Sequence, residues 1–75
     1  MNKEKQAEHF VICLEDKDCE DLEKRKIYRV IPDEDAALEG YLRVIDESGD
    51  DYLYPESYFV PVELPTKAQE LLKSG

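Results

Sequence analysis

The cysteines and the histidine are the side chains that nucleophilic or metal chemistry would use first. Five residues separate Cys13 from Cys19, which matches neither the CxxC spacing of redox motifs nor that of a zinc-binding pair. One histidine and two cysteines leave a structural zinc site short of its fourth ligand. If His9 and Cys13 share one strand, they lie about 13 Å apart along it, too far for a hydrogen bond. The sequence therefore predicts free thiols, with Cys13 as a small buried hydrophobe, and neither a catalytic residue nor a metal site.

Acidic residues crowd the segment that follows the first apolar run. Carboxylates stand at alternate positions there, as they do in calcium-binding loops. The pattern then fails, because Asp21 stands where such a loop needs glycine and Ile27 stands where it needs a bidentate glutamate. The segment instead predicts an acidic face that could engage a basic partner, as a nucleic-acid mimic or an antitoxin-like regulator does. This acidic face comprises Glu15, Asp16, Asp18, Glu20 and Asp21.

Tyrosines and arginines supply the chemistry of a second kind of binding surface. Tyr52 and Tyr54 share one face of a predicted strand, and they point outward if Leu53 points into the core. Rigid aromatic rings dock extended peptides, and arginine stacks on such rings. Two alternatives stay open: the tyrosines pack in the core, and the arginines pair with the protein's own acids. The predicted aromatic surface comprises Tyr41, Arg43, Tyr52 and Tyr54, with Arg29 at its edge.

A mainly β chain must position these side chains. Apolar and β-branched runs predict strands over 9–14, 22–31 with its clearest part from Lys26 onward, 41–46, 51–54 and 58–62. The first run is apolar throughout, which indicates burial on both faces or cover by the C-terminal segment. Pro61 places the last strand at a sheet edge, because proline cannot donate to a ladder. Short helices are predicted at about 33–39, ending at Gly40, and at 66–73.

Two motifs carry a resemblance to known proteins. The order of five short strands, with a long loop after the first and a tight turn before the last, resembles the SH3-like barrel. KIYRVIPDEDA at Lys26–Ala36 and RVIDESGDDYLYP at Arg43–Pro55 resemble a family of very short, functionally uncharacterised bacterial proteins. The resemblance spans Phe10 to Pro65 and implies a five-stranded SH3-like barrel without an assigned reaction. SH3 domains present a groove with a tryptophan, and this chain has none.

The charge balance limits the classes of partner. Nineteen acidic residues against ten basic ones give a net charge of −9. This charge disfavours nucleic acid and anionic membranes, because both are bound through lysine and arginine. It permits basic protein partners and keeps the chain soluble. We expect a monomer, with a dimer through exposed strand edges as the alternative.

The length of 75 residues predicts one domain with a small core. The polar start, MNKEKQAEH, lacks the apolar stretch of a secretory signal, which favours the cytoplasm. We expect a disordered segment at 1–8, the barrel at 9–64, and a C-terminal helix and tail at 65–75. The sequence thus predicts a non-enzymatic cytoplasmic module that binds a protein or peptide through the aromatic surface and needs no cofactor. The alternative is an acidic regulator that binds a basic protein through the acidic face.

Overall fold

Five antiparallel strands in one sheet form the body of the protein. A computed structural model describes residues 9–74. The strands are β1 His9–Cys13, β2 Ile27–Ile31, β3 Tyr41–Ile45, β4 Asp51–Pro55 and β5 Phe59–Val62. The helices are α1 Glu34–Leu38 and α2 Thr66–Ser74, and a 3-10 turn spans Glu56–Tyr58. The predicted mainly β class, its five strands and both short helices are confirmed, whereas the segment 1–8 lies outside the described residues.

The strand order makes a small barrel-like sheet that stays open. The strands run β4-β3-β2-β1-β5, so the first four form a meander and the last returns beside the first. This arrangement is consistent with a small barrel-like fold, but no ladder joins β4 to β5 in the described chain. β5 is therefore an edge strand, as Pro61 predicted, and the proline lies opposite Val11 of β1.

One face of the sheet holds the hydrophobic core. Directly opposite residues share a face, and Val11 lies opposite Tyr28, while Val30 lies opposite Val44. Val44 is fully buried, and Leu22 of the long loop closes over the same face. Burial of these side chains is the main source of stability in a chain this short. The core cluster consists of Val11, Cys13, Leu22, Tyr28, Val44 and Phe59.

Strand β1 is buried on both faces. Phe10 and Val11 follow one another and so point to opposite faces, yet they are only 3% and 4% exposed. Such burial on both sides explains why the run from Phe10 to Cys13 contains no polar residue, whereas Leu14 follows the strand and is 51% exposed. The prediction made from that run is confirmed.

Two glycines set the tight connections. Gly40 ends α1 with φ +86°, and Gly49 lies in the β3–β4 turn with φ +88°. Both values fall in the left-handed region, which glycine adopts without a steric penalty. At the other end of α1, the Asp33 side chain accepts a hydrogen bond from the Ala36 N–H at 3.0 Å and so caps the helix.

Candidate functional site

An open groove of about 910 Å³ lies at the end of the sheet where β1 and β3 begin and β2 and β5 end. The connection after β2, helix α1 and the linker before α2 complete its lining. Most of the lining side chains are apolar, and large ones among them are exposed, such as Ile31 at 37% and Tyr41 at 41%. The groove is lined by His9, Phe10, Val11, Val30, Ile31, Pro32, Asp33, Ala37, Tyr41, Leu42, Arg43, Pro61, Val62, Glu63, Leu64 and Gln69.

Both faces of the sheet contribute to this groove. Tyr41 and Arg43 of β3 alternate with Leu42, which lies opposite the core residue Tyr54. Side chains from both faces reach this groove because it lies at an open end of the sheet, between the strand ends and the segments that connect them. The exposed apolar lining is therefore a feature of the fold and not of one strand.

Two ion pairs hold the polar wall of the groove. The Arg43 guanidinium donates to Asp33 at 2.8 Å and to Asp51 at 3.0 Å. The pKa of Asp33 is lowered by the hydrogen bond from the Ala36 N–H and by Arg43, and hydrogen bonds to Asp33 and Asp51 raise the pKa of Arg43. Arg43 thus ties the cap of α1 to β4. The alternative in which this arginine pairs with the protein's own acids is confirmed.

A shallower depression of about 400 Å³ adjoins the groove. Tyr41 and Arg43 line both, so the two are continuous across these side chains. The depression adds the carboxylates of Asp35 and Glu39 and the exposed side chain of Leu53. The combined surface is apolar along most of its length and acidic at the end next to α1.

The linker before α2 is fixed against the groove by Gln69. Its side-chain amide donates to the Leu64 carbonyl at 2.9 Å, and its backbone N–H donates to the Pro65 carbonyl at 3.0 Å. Helix α2 in turn contacts β2. Leu64, which lines the groove, is consequently held by one hydrogen bond on its own carbonyl group. The contact of α2 with β2 supplies the docking that a helix this short needs to persist.

The aromatic surface expected from the sequence does not form on one face. Leu53 lies opposite Arg43 and is 47% exposed, so it points outward and not into the core. Tyr52 lies opposite Val44, and Tyr54 packs against the core cluster with its ring 6.2 Å from that of Phe59. The outward orientation of Tyr52 and Tyr54 is therefore wrong, because the register of β4 places them on the core face.

The remaining members of that predicted surface do share a face. Arg29 lies opposite Ile45, and Arg43 lies opposite Ile31, so both arginines are on the outer face with Tyr41. Tyr41 and Arg43 line the groove, whereas Arg29 does not. Of the five predicted residues, Tyr41 and Arg43 thus line the groove, and Arg29, Tyr52 and Tyr54 do not.

The buried tyrosines have carboxylate partners. Tyr28 donates to Glu47 at 2.6 Å, and Tyr54 donates to Asp46 at 2.6 Å. Burial and these hydrogen bonds raise the pKa of both tyrosines. Burial alone would raise the pKa of Asp46, but hydrogen bonds from Ser48 and Tyr54 outweigh it and the pKa is lowered. Tyr28 and Tyr54 therefore pack in or against the core, as one of the two alternatives from the sequence expected. Their hydroxyl groups form hydrogen bonds with carboxylates and do not rely on solvent alone.

Three of the five residues of the acidic face accept hydrogen bonds that stabilise the loop between β1 and β2. The Glu15 carboxylate accepts from the Lys17 N–H at 3.0 Å, and the Asp16 carboxylate accepts from the Lys24 N–H at 3.1 Å. Asp21 is half-buried, and its carbonyl accepts from the Glu47 N–H at 2.9 Å. Asp18 and Glu20 are exposed. The carboxylates of Glu15 and Asp16 therefore order the loop internally, and Asp21 ties the loop to the β3–β4 turn.

Both thiols are free in the described fold. Cys13 is 1% exposed and its Sγ donates to the Glu15 carbonyl at 3.2 Å, while Cys19 packs against the core cluster. Burial raises the pKa of each thiol, and nearby carboxylates raise it further. A raised pKa lowers the thiolate fraction on which nucleophilic attack depends.

Sequence reasoning missed most of the apolar groove. Alternation along β2 puts Ile31 on the same face as Arg29, but nothing in the local sequence indicates that Val62 and Leu64 line the groove with it. A useful signal was the Ile31-Pro32 pair, an exposed apolar residue at a strand end next to a proline that cannot continue the ladder. The groove depends on contacts between distant segments, which a single sequence does not encode locally.

No group of three His, Cys, Asp or Glu side chains within residues 9–74 is arranged to hold a metal ion. Nor is any helix in this range long and apolar enough to cross a membrane. Comparison with known protein families, with curated proteins and with solved structures found no match. The resemblance to a family of short bacterial proteins stays a prediction.

Proposed function

We propose that this protein is a non-enzymatic binding module that takes an extended segment of a partner protein into the groove. The observation that carries the proposal is the apolar lining of a groove of about 910 Å³, in which Ile31 and Tyr41 are exposed and Val62 is half-buried. Contiguous exposed apolar surface is the usual mark of an interaction site in a small soluble fold. Cytoplasmic location is part of the same proposal.

The shape of the site favours an extended chain over a compact small molecule. The groove continues across Tyr41 and Arg43 into the second depression, which ends at Leu53. An extended peptide lays alternate side chains into such an elongated surface, with apolar residues as anchors. Arg43 is held on both sides by carboxylates, so this wall is ordered before the partner arrives, which lowers the entropic cost of binding.

The groove also replaces the aromatic surface as the binding site. Tyr41 remains its exposed aromatic residue, and aromatic side chains supply a large rigid contact area at the centre of many interfaces. Tyr52 is exposed to a similar extent, at 52%, but lies on the other face and outside the groove. These two tyrosines therefore form a matched pair for a test.

The test is selection from a library of short random peptides displayed on phage. We expect the wild-type protein to enrich peptides with apolar anchors, and Tyr41→Ala to weaken their binding by about tenfold, the effect of losing a contact worth about 1.4 kcal/mol. Tyr52→Ala should bind the same peptides as the wild type does. Equal loss in both variants, or enriched peptides that ignore Tyr41→Ala, would remove the proposed function.

A second matched pair tests the apolar wall. Ile31→Ser changes a groove residue that is 37% exposed, and Val60→Ser changes a β-branched residue of β5 that is 41% exposed and does not line the groove. Both variants lose similar apolar area, so their stability should fall by similar amounts. Only Ile31→Ser should lose peptide affinity. Thermal unfolding of each variant confirms that the comparison is made between folded proteins.

A further inference from the structure

The shallow depression beside the groove restricts the chemistry of the partner segment. We propose that the bound segment carries a lysine or arginine side chain next to an apolar anchor, and that this cation lies on Tyr41 between Asp35 and Glu39. The inference rests on the proposed function of the groove and adds the chemical class of its partner, an apolar and basic peptide.

Carboxylates outnumber bases around the depression. Its lining contains the carboxylates of Asp33, Asp35 and Glu39 and a single base, Arg43. Arg43 lies 2.8 Å from Asp33 and 3.0 Å from Asp51, so carboxylates offset its charge on both sides. Asp35 and Glu39 are exposed at opposite ends of α1. They provide the negative charge that a cation of the partner would meet.

Tyr41 joins the acidic depression to the apolar groove. Its side chain is 41% exposed and lines both. A cation over an exposed tyrosine ring gains cation–π attraction, which adds to its attraction by the carboxylates that line the same depression. A partner segment whose apolar side chain occupies the groove can therefore place a neighbouring cation in the depression, because the groove and the depression meet at the Tyr41 ring.

The surrounding charges act in the same direction. Helix α1 has Glu34 and Asp35 in its first turn and no basic residue in its last turn. The whole chain carries a net charge of −9. A basic segment is thus attracted at long range by the protein and at short range by the depression, whereas an acidic segment is repelled at both distances.

The variant that tests this is Asp35→Asn combined with Glu39→Gln, with the phage-displayed random peptides as the probe. Peptides selected by the wild type should be enriched in lysine or arginine beside an apolar position. The double variant should still select apolar peptides but lose the basic preference. One selected basic peptide, made synthetically, should bind the double variant about three- to tenfold more weakly than the wild type.

The matched control is Asp18→Asn combined with Glu20→Gln, which removes the same charge from two exposed positions of the acidic face. This control must keep the basic preference. If it loses the preference as the test variant does, net charge and not the depression attracts the peptide, and the inference is wrong.

Two outcomes separate this inference from the function on which it rests. Wild-type selection that yields apolar peptides without basic enrichment overturns the inference and leaves the groove as a peptide site. Selection that yields no enriched peptide, or peptides that bind Tyr41→Ala unchanged, overturns the proposed function and the inference together.

Discussion

At the residue scale, the contact between Tyr54 and Asp46 has the clearest energetic consequence. Asp46 is 5% exposed and accepts hydrogen bonds from Tyr54 and from the Ser48 N–H and hydroxyl group. A buried carboxylate without donors bears the full cost of desolvation. The Ser48 contact is local to the turn that follows β3. Sequence reasoning did not find the Tyr54 contact, because that contact depends on the β4 register.

Removing the Tyr54 hydroxyl group should therefore destabilise the protein. Tyr54→Phe keeps the ring against Phe59 but takes one donor from Asp46. We expect a loss of about 1–2 kcal/mol in the free energy of unfolding, measured by urea denaturation. Tyr52→Phe, on the same strand with a 52% exposed side chain, is the control and should change stability little. Equal losses in the two variants would contradict the account.

The carboxylates that bind tyrosine hydroxyl groups also predict the response to acid. The hydrogen bond from Tyr28 lowers the pKa of Glu47, and hydrogen bonds from Ser48 and Tyr54 outweigh the desolvation of Asp46 and lower its pKa. A lowered folded-state pKa gives stability that is present above the unfolded value of about 4 and is lost as pH falls through the folded value. Stability should therefore decline as the solution is acidified below about pH 4.

The variant Asp46→Asn removes one of these titrating groups. Its melting temperature should fall less steeply with acid than that of Asp50→Asn, which removes an exposed carboxyl group from the same turn. Thermal unfolding followed by circular dichroism across the acid range measures both slopes. Identical slopes would show that Asp46 contributes nothing to the acid sensitivity.

At the element scale, the short connections determine where the groove lies. Helix α1 stands between β2 and β3, is capped by Asp33 and ends at Gly40. The Gly40 carbonyl also accepts from the Glu56 N–H at 2.9 Å, which ties this corner to the 3-10 turn. The helix therefore holds Tyr41, the first residue of β3, at the junction of groove and depression.

Replacing Gly40 should weaken this corner through backbone conformation alone. A Cβ at Gly40 meets nothing within 4 Å, but the φ of +86° is unfavourable for a side-chain-bearing residue. Gly40→Ala should cost about 1–2 kcal/mol of unfolding free energy, and Gly40→Asn less, because asparagine enters the left-handed region more readily. Denaturant midpoints measure the difference. A larger cost for asparagine than for alanine would point to crowding and contradict this explanation.

The elements themselves were largely predictable, for a local reason. Alternating and β-branched runs indicated all five strands, and Asp33, Gly40 and Pro61 marked ends and edges through their own backbone chemistry. Which side chains of β4 lie on the core face was not predictable in the same way. Tyr52, Leu53 and Tyr54 are all apolar enough to face the core, so alternation alone leaves two orientations, and pairing with β3 decides between them.

At the scale of the whole molecule, the open sheet exposes an apolar groove, and the net charge opposes association of copies through it. The sheet leaves one end uncovered, and the groove forms there from four strands and both helices or their connections. A net charge of −9 keeps an exposed apolar surface soluble through repulsion between copies. The same repulsion disfavours pairing of two copies through this face. The monomer expected from the sequence stays a prediction that sedimentation would test.

The measurement that tests the central claim most directly is an NMR titration of the wild-type protein with one selected peptide. Backbone amide shifts should change most at the non-proline residues of 30–33, 41–43 and 61–64, which line the groove. The acidic loop at 15–21 and the neighbourhood of Tyr52 should change little. Shifts concentrated at 15–21 would instead place the partner on the acidic face and contradict the groove as the binding site.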